Sequence, residues 1–174
     1  MKFSDLLDLT FDESENTIDL DELGQKLPNT PKDVLSQFYS DHGRNNEFQS
    51  EYANIEIDLL QWNLIEIDAE TIVKSSIHPN FRGWFEAVSN RAKRFSNERW
   101  ESIDCRLEVR DYWQTNRTWM ISPIFLDGQI IDSESKFHLV EGHTRVGLLD
   151  GLLKHDILPK SQLHTIWVAT KNAI

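Results

Sequence analysis

Phe137-His138-Leu139-Val140-Glu141-Gly142-His143-Thr144-Arg145-Val146-Gly147-Leu148-Leu149 reads as a strand that turns sharply into a helix, with charged and hydrogen-bonding side chains gathered at the junction. A strand-to-helix junction brings unpaired backbone N–H groups and the positive end of the helix dipole together, so it is a ready anion site. Phosphate is the first ligand to consider. Gly142 has no Cβ, which permits a tight turn and lets a ligand approach the backbone. Thr144 offers a hydroxyl in the first turn, and Arg145 a planar fork that can hold two phosphate oxygens at once. His143 can serve as acid, base or phosphate donor. Glu141 can hold magnesium through water, activate an acceptor hydroxyl or pair with Arg145. A purely structural arrangement is also open, in which Glu141 and Arg145 make an ion pair and His143 caps the helix.

Working outward, the helix should run from His143 to about Lys154, burying Val146, Leu149, Leu152 and Leu153, with Gly147 permitting close packing and Pro159 in the exit loop. Trp119 to Leu126 reads as a strand turning at Asp127-Gly128, a strong reverse-turn signal, and Leu163 to Ala169 as another strand. Upstream, Trp62 to Asp68 is rich in β-formers, and Ala69 to Ile72 follows as a short helical turn. Phe81, Trp84, Phe85, Val88, Ala92 and Phe95 recur at helical spacing in a segment led by Asn80. Ile103 to Arg110 alternates strictly, which argues for a strand, although Ile103 and Leu107 also match a helix.

Nearer the N-terminus, Pro28-Asn29-Thr30-Pro31 is a breaker. Thr30 is placed to cap a helix with Pro31 at its first position and Asp33 three residues after the cap. Val34, Leu35, Phe38 and Tyr39 give that helix an apolar stripe ending near Asp41-His42-Gly43. Asp5 to Leu9 and Ile18 to Leu23 read as short helical turns. Strands and helices mixed in this order predict an α+β fold, a small mixed sheet with flanking helices. Residues 1–59 are expected to form an acidic, mainly helical extension, and residues 60–174 the main domain.

The net charge of -11 is unevenly distributed. Residues 1–25 hold Asp5, Asp8, Asp12, Glu13, Glu15, Asp19, Asp21 and Glu22 against Lys2 alone, so most of the excess lies there. This segment is either a solvated face or a contact surface for a basic partner protein. An acidic chain is a poor general binder of nucleic acid, because such affinity rests on Lys and Arg displacing counterions. Residues 82–117 are the one basic stretch, and Trp100, Trp113 and Trp119 lie in or just after it, as in a nucleic-acid groove, but core aromatics beside solvated charges explain the pattern better. The absence of an 18-residue apolar run or a signal core, together with the lone Cys105, predicts a cytoplasmic protein with no membrane span, no disulfide and no cysteine-based metal cluster. Cys105 reads as a small buried hydrophobe.

Pro123-Ile124-Phe125-Leu126 and, after a short gap, Phe137 to Arg145 together resemble the core of the ParB/sulfiredoxin superfamily. In those proteins a strand beginning near Pro-Ile is followed by a hairpin and a second strand ending in a Gly-x-x-Arg phosphate loop at a helix start. ParB proteins carry Gly-Glu-Arg-Arg there, sulfiredoxins Gly-Cys-His-Arg and the free serine kinases of this fold Asp-Gly-His-His-Arg. The last is nearest to Glu141-Gly142-His143-Thr144-Arg145. Trp62 to Ile72 resembles the first strand and turn of the same domain, so the resemblance covers residues 60–170, with 96–118 as an insertion.

The resemblance implies nucleotide phosphate binding at Gly142, His143, Thr144 and Arg145, with ATP, ADP or CTP as the nucleotide and magnesium as its companion. Phosphotransfer or nucleotide hydrolysis would use Glu141 as base or metal-linked carboxylate and His143 to stabilise charge or pass a proton. Asp68 and Glu66 are the best candidates for a second carboxylate. The sulfiredoxin cysteine would fall at His143, which excludes reduction of a sulfinic acid, and no room follows residue 170 for the DNA-binding helices of ParB. The alternative is a non-enzymatic immunity or antitoxin-type protein whose acidic segment covers a basic partner. A DNA-associated factor or nuclease comes third.

Overall fold

Phe3 and Leu6 are fully buried on a 3-10 helix, Phe3–Asp8, while Asp5 and Asp8 between and after them face solvent. This computed structural model describes residues 1–96 and 106–171. They fall into two compact units: Met1–Asn63 with the described residues from Val168 onward, and Leu64–Trp167.

In the first unit a small antiparallel ribbon, β1 (Phe11–Asp12) and β2 (Thr17–Ile18), precedes α1 (Leu20–Lys26), which is capped by the Asp19 carboxylate accepting the Glu22 N–H at 2.7 Å. The ribbon departs from expectation, since Ile18, read as the start of a helical turn over 18–23, lies in β2 and the helix begins at Leu20; the turn expected at 5–9 falls on the 3-10 helix. α2 (Lys32–Val34) continues as a π-helical stretch, Leu35–Ser40, which buries Leu35, Phe38 and Tyr39 together with Val34 as the apolar stripe requires. The start differs from expectation. Pro31 is the cap residue and no side chain bonds there, so Thr30 does not cap.

α3 (Asn46–Tyr52) is capped by Asn45, whose side-chain Oδ1 accepts from the N–H groups of Glu47 and Phe48. Phe3, Phe38, Tyr39, Phe48 and Tyr52 form one aromatic cluster with ring centroids 4.8–6.1 Å apart. Such tilted and edge-on pairs add stabilisation of about 0.5–1.5 kcal/mol each beyond their burial. The acidic first segment is therefore built into a core: Phe3, Leu6, Leu9, Ile18 and Leu23 are buried and all its acids except the half-buried Glu22 are exposed.

β3 (Leu60–Asp68) ends in the carboxylate of Asp68, which caps α4 (Ala69–Val73). β4 (Ser76–Ile77) leads into α5 (Pro79–Arg91), with proline at the first helical position as helix starts favour, and then a 3-10 turn, Ala92–Ser96. α6 (Leu107–Asn116) overturns the expected strand over this part of the chain. Leu107 is 66% exposed, so the alternation marks no buried face, and Val109 and Trp113, four residues apart, share one side of a helix. Residues 103–105, with Cys105, and Trp100 lie outside the described residues.

β5 (Ile124–Asp127) is shorter than the strand read from Trp119. Pro123 cannot donate to a ladder, and Asp127 accepts the Gln129 N–H at 2.9 Å to start a 3-10 helix, Gly128–Ile131, in place of a tight hairpin turn. β6 (Phe137–Glu141) and α7 (His143–Lys154) match expectation, and β7 spans Leu163–Lys171. The sheet order is β3-β7-β5-β6-β4, with β5 antiparallel and β4 parallel to β6, so the fold is α+β with a mixed sheet. No described helix is long and apolar enough to cross a membrane.

α7 is buried nearly all round and packs against α5 and α4. A Cβ on Gly147 would stand 3.0 Å from the Phe85 carbonyl oxygen of α5. One on Gly151 would collide with Ala92 Cβ and the Ser89 carbonyl oxygen. A polar clamp closes the pair, with Asp150 accepting the Ser89 hydroxyl and the Lys154 ammonium, both at 2.6 Å.

Candidate functional site

β6, held on both sides by neighbouring strands, delivers Glu141 at its end, and the chain turns at Gly142 with φ 99°, ψ 24°. That left-handed conformation belongs to glycine, and a Cβ there would stand 2.5 Å from Pro123 Cβ and 3.2 Å from Arg145 Nε. Gly142 is the N-cap residue of α7 and no side chain caps the helix, whose first bond is Val146 N–H to the Gly142 carbonyl at 2.9 Å. His143, Thr144 and Arg145 thus form an uncapped first turn. His143 does not cap it; its ring is buried, 4.6 Å from that of Phe81.

Arg145 lies four residues after Glu141, and Nη2 meets Oε1 at 3.1 Å, while Nη1 donates to the Ile121 carbonyl at 2.8 Å. Both carboxylate and guanidinium are mostly buried. Burial pushes the guanidinium below its ordinary value, Glu141 opposes that shift, and the charge of Arg106 adds to it. Of the roles open to Glu141, the resting structure holds the ion pair. Arg145 is a fixed cation at the turn, its fork divided between a carbonyl and a carboxylate.

Thr144 accepts the indole N–H of Trp84 at 3.1 Å. Trp84 was expected within the buried stripe of α5, whose Phe85 and Val88 are buried, as is Ala92 just after it; it is instead 49% exposed, with the Arg91 guanidinium 5.0 Å from its ring centre.

His138, three residues before Glu141 on β6, is 3% exposed and lies 2.8 Å through Nδ1 from the Ser76 hydroxyl on β4, which in turn accepts from Ser133 at 3.0 Å. Burial, with help from His143 and His78, pushes His138 down to about 4, so it is neutral near pH 7. His164 is likewise neutral, pushed down to about 4 by burial beside Trp119 and Trp113 and bonded to Thr118 at 2.8 Å. Those tryptophans are core, Trp113 at 1% and Trp119 at 3% exposure.

The proposed second carboxylates are not brought to the site. Asp68 accepts both the N–H and the hydroxyl of Thr71 at 2.8 Å, which holds it below the usual carboxylate range, and Glu66 is exposed. Their strand, β3, is three places from β6 in the sheet, on the order of 14 Å. Among the described residues no group of three His, Cys, Asp or Glu side chains is placed to hold a metal ion.

Sequence reasoning missed Trp84, Phe81 and the Ile121 carbonyl as members of the site. Trp84 had a signal: beside Phe85 and Val88 it widens the apolar stripe past what one helix face needs. A main-chain carbonyl partner leaves no trace in side-chain types.

No protein-family profile, curated protein or solved structure matches this chain.

Proposed function

We propose that the chain binds a nucleotide through its phosphates at the first turn of α7, as a ParB/sulfiredoxin-like protein in the cytoplasm, with ATP, ADP or CTP as the ligand. The observation that carries this reading is the helix start at Gly142, whose first-turn N–H groups no side chain caps, with Arg145 beside it as a fixed cation. Backbone N–H groups and the helix dipole supply the attraction, and Thr144 supplies a hydroxyl. Phosphotransfer or hydrolysis would require Glu141 to leave Arg145 before it could act as a base; binding would draw on the backbone N–H groups and Thr144 while the Arg145 fork stays on Glu141 and the Ile121 carbonyl.

Thermal shift with ATP, ADP, CTP and GTP, with and without magnesium, tests the reading on the wild type and on Thr144→Val and Arg145→Lys. A ligand at 100 times its dissociation constant stabilises by about 2.7 kcal/mol. A shift on the wild type that shrinks in both variants is expected. No shift with any nucleotide at millimolar concentration rejects the proposal.

A second reading rests on the first unit. Asp12, Glu13, Glu15 and Asp19 line an open concavity of about 460 Å³ with Thr10, Phe11 and Leu20, which gives the acidic segment a shaped surface for a basic partner protein. Because Phe3, Leu6 and Leu23 belong to the core, the test is charge reversal at Glu13 and Glu15 rather than deletion. Retention of a basic protein that is salt-sensitive and survives this reversal would reject the reading.

A further inference from the structure

The phosphate reading leaves unexplained an exposed tryptophan fixed in place beside the same turn. Exposed aromatic rings are ordinarily loose, but the Trp84 indole is held twice, by its N–H on the Thr144 hydroxyl at 3.1 Å and by the Arg91 guanidinium 5.0 Å from the ring centre. It nevertheless keeps 49% of its surface open. On the other flank of the turn, Arg145 binds the Ile121 carbonyl, and Met120 and Ile121 are each 43% exposed. The uncapped helix start, with its Arg145–Glu141 ion pair, therefore has exposed apolar side chains among its neighbours. That pairing suits a ligand with an aromatic part joined to an anionic part, and suits bare phosphate poorly.

We propose that Trp84 is the stacking platform for the nucleobase of the ligand whose phosphates sit at the first turn of α7, so that the substrate class is a nucleoside di- or triphosphate rather than an inorganic polyphosphate. This rests on the phosphate reading above. The ring offers a π-face that accepts any base, and base–aromatic stacking is tolerant of base identity. The Arg91 cation on the indole lends the stack further attraction. Thr144 is the link between the two parts of the site: it stands in the turn that would meet phosphate and holds the ring that would meet the base.

The test is calorimetric affinity for ATP, CTP and inorganic tripolyphosphate on the wild type, Trp84→Ala and Trp84→Phe. Losing one stacked base should weaken ATP and CTP by between about 5-fold and 150-fold in the alanine variant. Tripolyphosphate should be unaffected, and the phenylalanine variant should keep most of the nucleotide affinity because it keeps a ring. Equal losses for nucleotide and tripolyphosphate would mean that Trp84 acts through Thr144 alone, and would overturn the platform while leaving the phosphate site standing. Unchanged nucleotide affinity in Trp84→Ala overturns it as well. If neither ligand binds the wild type, the phosphate site itself fails and the platform with it. Trp84→Leu, which keeps apolar bulk without a ring, gives the same discrimination if the alanine variant does not fold.

Discussion

Replacing Gly142 by alanine should be among the most damaging single-methyl changes in the protein. Two costs are separable. An L-residue at φ 99° gives up about 1–2 kcal/mol to the clash between Cβ and the carbonyl that disfavours left-handed backbone. The new Cβ would also stand 2.5 Å from Pro123 Cβ and 3.1 Å from its Cα, where carbon atoms prefer about 3.5–4.0 Å. Pro123 is a ring fused to its own backbone and cannot swing aside, so relief must come from moving β5 or the turn. Overpacking of this kind costs about 1–3 kcal/mol. The total is about 2–5 kcal/mol, and a chain of this size loses roughly 2–4 °C per kcal/mol. Urea denaturation followed by tryptophan fluorescence, with a thermal melt alongside, measures it. Gly83→Ala is the matched control: it lies within α5, a Cβ there would meet nothing within 4 Å, and removing a helical glycine should stabilise by roughly 0.5–1 kcal/mol. A Gly142→Ala variant within about 0.5 kcal/mol of wild type would refute the left-handed turn and its contact with Pro123, because surface changes away from such features fall in that range.

Gly151→Ala should destabilise by about 1–3 kcal/mol, because its Cβ would enter space held by Ala92 and the Ser89 carbonyl at the α5–α7 contact; a neutral denaturation midpoint would contradict that contact. Arg145→Met removes the cation from a mostly buried carboxylate and the donor from the Ile121 carbonyl, which predicts a loss of about 1–3 kcal/mol by urea titration. Adding Glu141→Gln to it should recover part of that loss, and strict additivity would mean that the pair does not interact. His138 and His164 are both pushed down to about 4 from 6.5, so between those values the unfolded chain binds protons that the native one does not. Stability is then fully present above pH 6.5 and falls as pH drops towards 4, by up to about 1.4 kcal/mol per pH unit for each histidine. Denaturation midpoints at pH 7, 6 and 5 read this slope. His138→Gln should remove about half of it, and a flat profile in the wild type would show that neither ring is buried neutral.

Several elements were legible in the sequence because their signals are local. Phe137 to Val140 is a short apolar run, His143 to Lys154 repeats at 3.6 residues, and Gly142 sits between two periods that cannot be joined without a turn. β3 was legible from its β-formers in the same way. The failures were also local. Leu107 and Val109 alternate like a strand, but tertiary packing buried Trp113 and left Leu107 in solvent. Asp127-Gly128 reads as a reverse turn and β5 does end there, but the chain reverses through a 3-10 helix that the Asp127 carboxylate starts by accepting the Gln129 N–H.

By itself the sequence determined the α+β class, the strand-turn-helix at Glu141 to Arg145, and the concentration of acid in the first 25 residues, since these depend on residue type and period. Tertiary structure decided which partner each polar group meets. Arg145 was read as a phosphate fork and lies on Glu141 and the Ile121 carbonyl, Asp68 was read as a second catalytic carboxylate and caps its own helix, and Trp84 was read as core and stands beside Thr144. The physical reason is that a hydrogen bond or ion pair is satisfied by any correctly placed acceptor, main-chain carbonyls included, and placement is set by strand order and helix packing across sequence separations that no local pattern encodes.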